Sequence, residues 1–156
     1  MKTFAIIVLL ALNLSGYCQA VKHDLNGIPK KANKISILNS KTAEENYIQA
    51  GKILVQNGYG LKTSNKEFGL FETAPKAMKR KQSWTGMFNV VVTDSLITVT
   101  GQCTTGISLG FGSGVTTEPT YYEIKNMGKG LYDNSAFFEM IDLALKFGDN
   151  LKYIAQ

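Results

Sequence analysis

The sequence predicts an α+β fold: an antiparallel sheet of about five strands with two helices on one face, in the order strand, helix, four strands, helix (β-α-β4-α). Three observations carry this expectation. Two segments, residues 42–58 and 134–148, place apolar residues at helical spacing between a polar start and a glycine stop. Between them lie alternating stretches rich in β-branched residues, clearest in WTGMFNVVVT and LITVTGQC on either side of Asp94-Ser95. One face of that hairpin is apolar and the other mostly polar, so both helices are expected on a single side.

Taken from the N-terminus, the chain opens Met1-Lys2-Thr3 and continues FAIIVLLALNL, one positive charge before an apolar run too short to span a bilayer. Residues 1–20 therefore read as a secretory signal peptide. A cut after Ala20 leaves Cys18 and Ala20, both small, in the two positions a signal peptidase inspects. The alternative is a lipoprotein in which Cys18 becomes the lipidated first residue; Tyr17 opposes it, because a small residue normally precedes that cysteine. Export follows from either reading, to the periplasm, the outer membrane or the medium. Residues 21–33, with Gly27, Pro29 and several lysines but no apolar period, are expected to form a flexible tether. Residues 34–156 are expected to form one domain.

KISIL begins that domain as a strand with Ile35 and Ile37 on one face. Thr42 and Glu45 form a capping-box pattern, Ala43, Tyr47, Ala50 and Leu54 make the stripe of the first helix, and Asn57-Gly58 ends it. YGLKT and EFGLFET are read as strands joined by Ser64-Asn65-Lys66, and TAPKAMKRKQ as a polar connection. In the next hairpin a two-residue loop pairs Thr93 with Leu96, Val92 with Ile97, Val90 with Val99 and Phe88 with Gly101. The opposite face then collects Asn89, Thr93, Thr98, Thr100 and Gln102, with Met87, Val91 and Leu96 as apolar exceptions. Trp84 is expected to cover the end of the sheet. In NSAFFEMIDLALKFG, Phe137, Met140, Ile141 and Ala144 line the buried face, and Glu139 with Asp142 is expected on a solvated flank.

The segment GQCTTGISLGFGSGVTTEP has the glycines of a phosphate loop without its mechanism. Val115-Thr116-Thr117-Glu118-Pro119 is not a first helical turn, and no lysine follows the glycines. Read as an extended strand, the segment puts Ile107, Leu109 and Phe111 on one side and small residues on the other. Beyond Trp84 these three side chains lack a hairpin neighbour. With Tyr121 they form the expected binding lip, against the alternative that they pack on their own domain.

Catalytic chemistry finds little purchase. His23, the only histidine, falls in the tether, which removes Ser-His-Asp, Cys-His and His-rich zinc constellations from the domain. Cys103 follows the apolar parity of its strand and is expected to be a small buried hydrophobe; with Cys18 removed or lipidated, no internal disulfide forms. Distant carboxylates such as Glu72 and Glu118 would have to meet in space for acid–base work. No catalytic residue, metal or cofactor is assigned. The net charge of +5 is uneven, with 12 Lys or Arg against 5 acidic residues over 22–81 and 4 against 7 over 82–156. Basic clusters such as Lys76 to Lys81 would suit nucleic acid, which export disfavours; a solvated tether and a charged loop fit better, with attraction to anionic envelope surfaces a distant third reading.

AGKILVQNGY, EFGLFET and WTGMFNVVVTDSLITVTGQ together resemble the helix-grip, or TATA-box-binding-protein-like, arrangement, as found in small exported domains of Bacteroidetes type and in envelope lipoprotein domains. An insertion of about twenty residues after Gln102 departs from a compact version of that fold. The resemblance implies a structural, assembly or binding role in the cell envelope and transfers no catalytic residue. The expected partner is an envelope protein; the alternative is a small apolar ligand carried between helices and sheet.

Overall fold

The computed structural model describes residues 25–105, 119–129 and 133–156. In chain order the elements are β1 (Ala32–Leu38), α1 (Ala43–Gln56), β2 (Leu61–Asn65), β3 (Leu70–Thr73), β4 (Lys76–Ala77), β5 (Thr85–Thr93), β6 (Leu96–Thr104), β7 (Tyr122–Glu123), α2 (Ser135–Phe147) and β8 (Leu151–Ala155). The strands form one antiparallel sheet in the order β2-β3-β5-β6-β1-β8, with β4 on β5 and β7 on β6. The α+β class with two helices is as expected. The strand count is not: among the described residues the sheet has eight strands rather than about five.

The added strands are β4, β7 and β8. The first two are only two residues long and pair beside the ends of the central hairpin, too short to leave a periodicity. The strand β8 follows the turn residues Gly148-Asp149-Asn150 and sets Tyr153 opposite Ile35 and Leu151 opposite Ile37. The chain therefore closes on a strand beside β1, not on a helix. β1 itself begins at Ala32, and Leu25 and Ile28 of the preceding lead pack against the core.

The central hairpin has the register that its alternation dictates, with Val90 opposite Val99, Val92 opposite Ile97 and Phe88 opposite Gly101. Ser95 takes φ +59°, which lets the strands reverse over two residues. Gly101 is required by its neighbour: a β-carbon there would lie 2.8 Å from the ring of Phe88. Ile35, Ile37, Phe71, Phe88, Val90, Val92, Ile97 and Val99 face the helices and are buried. Truncating Phe88 or Phe137 to alanine in this packed layer would cost about 3–5 kcal/mol.

Both helices lie against that face and touch each other. In α1 the capping box of Thr42 and Glu45 is complete. Ala50 and Leu54 are buried, Tyr47 stacks on Phe71 with centroids 4.3 Å apart, and Ala43 is exposed. A polar residue, Asn46, joins the buried face; its amide donates to Thr93 O at 2.9 Å and exchanges hydrogen bonds with Asn39. In α2 the expected Phe137, Met140, Ile141 and Ala144 are buried, together with Ala136, Leu143 and Phe147. Among the described residues no helix is long and apolar enough to cross a membrane.

Two local readings are corrected. Lys66–Gly69 form the turn between β2 and β3, so Phe68 sits in the turn and not in a strand. The lysine-rich connection after β3 is packed: it contains β4, and Met78 is buried where Gly86 leaves it room.

Candidate functional site

The residues proposed as a binding lip are divided by the structure. Ile107, Leu109, Phe111, Cys18 and Glu118 lie outside the described residues, as do His23 and residues 1–20. Tyr121 is half-buried just before β7, where the exposed Tyr122 pairs with Cys103 at the far end of β6 from the Asp94-Ser95 turn. Cys103 is buried, and burial pushes its thiol above the ordinary range, which holds it protonated at neutral pH. Glu72 is bound to Lys62 at 2.8 Å, which lowers its carboxyl. Among the described residues no group of His, Cys, Asp and Glu could hold a metal ion.

Glu139 and Asp142 are not on a solvated flank. Glu139 is 4 % exposed and accepts the backbone N–H groups of Lys79 (2.9 Å) and Arg80 (3.3 Å). Asp142 takes the Arg80 guanidinium at 2.9 Å, and that guanidinium lies over the Phe138 ring. The neighbouring cations are engaged in the same way. Lys76 donates to Asn57 O and lies over Tyr59, while Lys81 bridges to Asp133 and lies over Trp84. The Lys81 hydrogen bond, with help from Ser135, holds the Asp133 carboxyl down at about 2. The connection from Lys76 to Lys81 is thus clamped to α2 and its flanks, and Lys76, Arg80 and Lys81 each meet intramolecular partners.

Among the described residues, one surface with both relief and chemistry is a groove at the N-terminus of α1. Its walls are Ala43, Glu44 and Tyr47 on α1, the β2–β3 turn from Lys66 to Gly69, and Val92 and Thr93 at the end of β5 with Asp94 of the hairpin turn, around about 470 Å³. Each wall has a local cause. Asp94 accepts the Ala43 N–H at 2.7 Å, fastening the hairpin turn to the first turn of α1. Glu44 reaches Lys66 at 2.7 Å across the groove; that hydrogen bond lowers the Glu44 carboxyl and raises the Lys66 ammonium.

The turn carrying Phe68 is held at both ends. Phe68 N donates to Asn65 Oδ1 at 3.0 Å, and Val92 N donates to Gly69 O at 2.8 Å. Gly69 has φ +59°, and a β-carbon on it would lie 2.2 Å from Val92 O, so no other residue fits unchanged. A fastened turn therefore presents Phe68 with 69 % of its surface in water. The sequence signal was present in Asn65 and Gly69 flanking a lysine, a glutamate and a phenylalanine; the apolar alternation of EFGLF concealed it.

A second, flatter surface is the sheet face away from the helices. There Leu38 pairs with Leu96 and Leu70 with Val91, so the apolar exceptions of the central hairpin continue onto both neighbouring strands. No protein-family model matches the chain, and no curated protein is significantly similar to it.

Proposed function

We propose that this chain is an exported cell-envelope protein that works by binding a partner protein, with the Phe68 turn and the adjoining groove as its contact surface. The supporting observation is Phe68 itself, a large ring exposed by a turn that two backbone anchors and an obligatory glycine hold in place. Exposed aromatic side chains on a fixed backbone beside a groove are enriched at protein interfaces. The leader pattern of residues 1–20 supports export. Two helices on one face of one antiparallel sheet support the helix-grip likeness, from which β8 is a departure.

The apolar-carrier alternative is less favoured. It requires a void between helices and sheet, and Phe88, Phe137, Leu54, Met140 and Ile141 occupy that layer with almost no exposure. The test is a photo-crosslinking amino acid placed at Phe68, with a second at Lys52 on the outer face of α1 as control, in cells that make the protein naturally. A discrete adduct from position 68 and none from 52 is expected. Equal labelling from both, or none from either, would remove the groove from consideration.

A further inference from the structure

The chemistry of the groove narrows the partner, if the interface reading above holds. Three carboxylates line it, Glu44, Glu67 and Asp94, against one ammonium, Lys66. Their states differ. Asp94 is committed to the Ala43 N–H and Glu44 to Lys66, whereas no hydrogen bond or ion pair engages Glu67 among the described residues. The Glu44–Lys66 bridge is itself weakly held, because both side chains are about two-thirds exposed, and such pairs contribute little and exchange readily. An incoming cation therefore meets one free carboxylate and a second that it can share with Lys66.

The apolar part of the lining fits the same ligand. Phe68 and Tyr47 are the aromatic rings of the groove, and an aromatic face beside carboxylates attracts a cation while also packing an apolar neighbour. The helix N-terminus would ordinarily argue for an anion. Here most of its donors are occupied: Ala43 N is bound by Asp94, Glu45 N by Thr42 Oγ1, and Thr42 N by Glu45, while the Glu44 N–H sits beside its own carboxylate. What faces the groove is net negative, three carboxylates against one ammonium, and aromatic.

We propose that the groove receives a basic-apolar segment of a partner protein, a Lys or Arg side chain placed between Glu67 and Glu44 with an adjacent apolar side chain against Phe68. Charge complementarity selects this occupant over an acidic one. The basic surface of a second copy is the competing source of such a segment, and it would reveal itself as self-association that rises with protein concentration.

The test uses the full chain labelled with ¹⁵N and two blocked pentapeptides, one reading alanine-lysine-phenylalanine-lysine-alanine and the other with glutamate for both lysines. At about 5 mM peptide, a range suited to weak contacts, the basic peptide should shift the amides of Glu44, Tyr47, Glu67 and Phe68, and the acidic one should not. Glu67→Lys should weaken the response roughly tenfold and Phe68→Ser by a similar factor, while salt raised from about 50 to about 500 mM should suppress it. Equal shifts from both peptides, shifts away from the groove, or no shift at all would overturn the proposal. Self-association without peptide, abolished by Glu67→Lys, would assign the segment to a second copy and overturn the partner. A position-68 crosslink that survives Glu67→Lys and high salt would leave the interface standing and refute only the cationic chemistry.

Discussion

Replacing Gly69 by alanine tests whether the Phe68 turn is held or merely resting. The new β-carbon would lie 2.2 Å from Val92 O and 3.1 Å from Val92 Cγ2, and the first of these contacts is with backbone that has no rotamer to yield. Left-handed φ at a non-glycine residue costs about 1 kcal/mol. Relieving the clash means separating the two strands at this point, which breaks the Val92 N to Gly69 O bond, worth about 0.5–1.5 kcal/mol, and loosens packing beside Val92. Together the loss should be about 2–4 kcal/mol, or about 8–15 °C in Tm for a domain of this size. Gly58 is the control. It also has positive φ, +73°, but its substituent would meet only the side-chain end of Lys76, at 3.2 Å, so Gly58→Ala should cost about 1 kcal/mol. Urea denaturation of both variants beside the wild type provides the comparison. A Gly69→Ala loss no larger than that of Gly58→Ala would show that the turn relaxes freely, and the argument that Phe68 is deliberately presented would fail with it.

Asp133→Asn should cost about 1 kcal/mol at pH 7, a figure reduced for the partial exposure of the Lys81 bridge. Because the folded carboxyl lies below its unfolded value, that stability is present above about pH 4 and disappears as pH falls toward 2, so wild type and variant should converge there in acid titrations of urea midpoints. Glu139→Ala should cost about 2–4 kcal/mol by orphaning the N–H groups of Lys79 and Arg80, and Glu139→Gln, which keeps an acceptor, should recover part of it; equal losses would refute the clamp. Cys103→Ser should cost about 1–3 kcal/mol, and reducing agent should leave the wild-type Tm unchanged, as calorimetry with and without a thiol will show.

What the sequence revealed depended on whether a signal was periodic or singular. The hairpin from Thr85 to Thr104 declares its register twice, by alternation and by a two-residue turn, and each pairing read from it is observed. The capping box of α1 was legible for the same reason, since Thr42 and Glu45 stand at the one spacing that satisfies both backbone donors. Glu139 was misplaced because a carboxylate on a helix flank is normally solvated. Its partners are backbone amides sixty residues away, which no residue type announces. Asn46 escaped likewise: its side chain substitutes for an apolar one by bonding Thr93 O across the interlayer. Of the strands, β8 was discoverable in LKYIA, whose Leu151 and Tyr153 share the parity of a half-buried edge, but the helix ended by Gly148 was read as the last element of the domain.

The groove was illegible as a site because it is assembled from three connections, each of which looks like ordinary turn chemistry by itself. Lys41 O receives the Ser95 N–H, Ser95 O receives the Asn39 N–H, and Asp94 caps Ala43, so the link before α1 and the hairpin turn are one hydrogen-bonded unit. Asn46 binds that unit to the last residue of β5, and Val92, one residue earlier, holds Gly69. The Phe68 turn, the first turn of α1 and the end of the central hairpin are thus fastened through three consecutive residues, Val92 and Thr93 at the end of β5 and Asp94 in the turn that follows it. The backbone of a surface built this way is preorganised: the turns that carry its aromatic ring and carboxylates are fastened to the most extensively paired hairpin of the sheet, so binding needs to order side chains and not the loops beneath them. Fixing by backbone also explains how polar turn residues can line a specific groove without a packed core of their own, since here geometry comes from Gly69 and the Asn65, Asn46 and Asp94 side chains rather than from apolar burial.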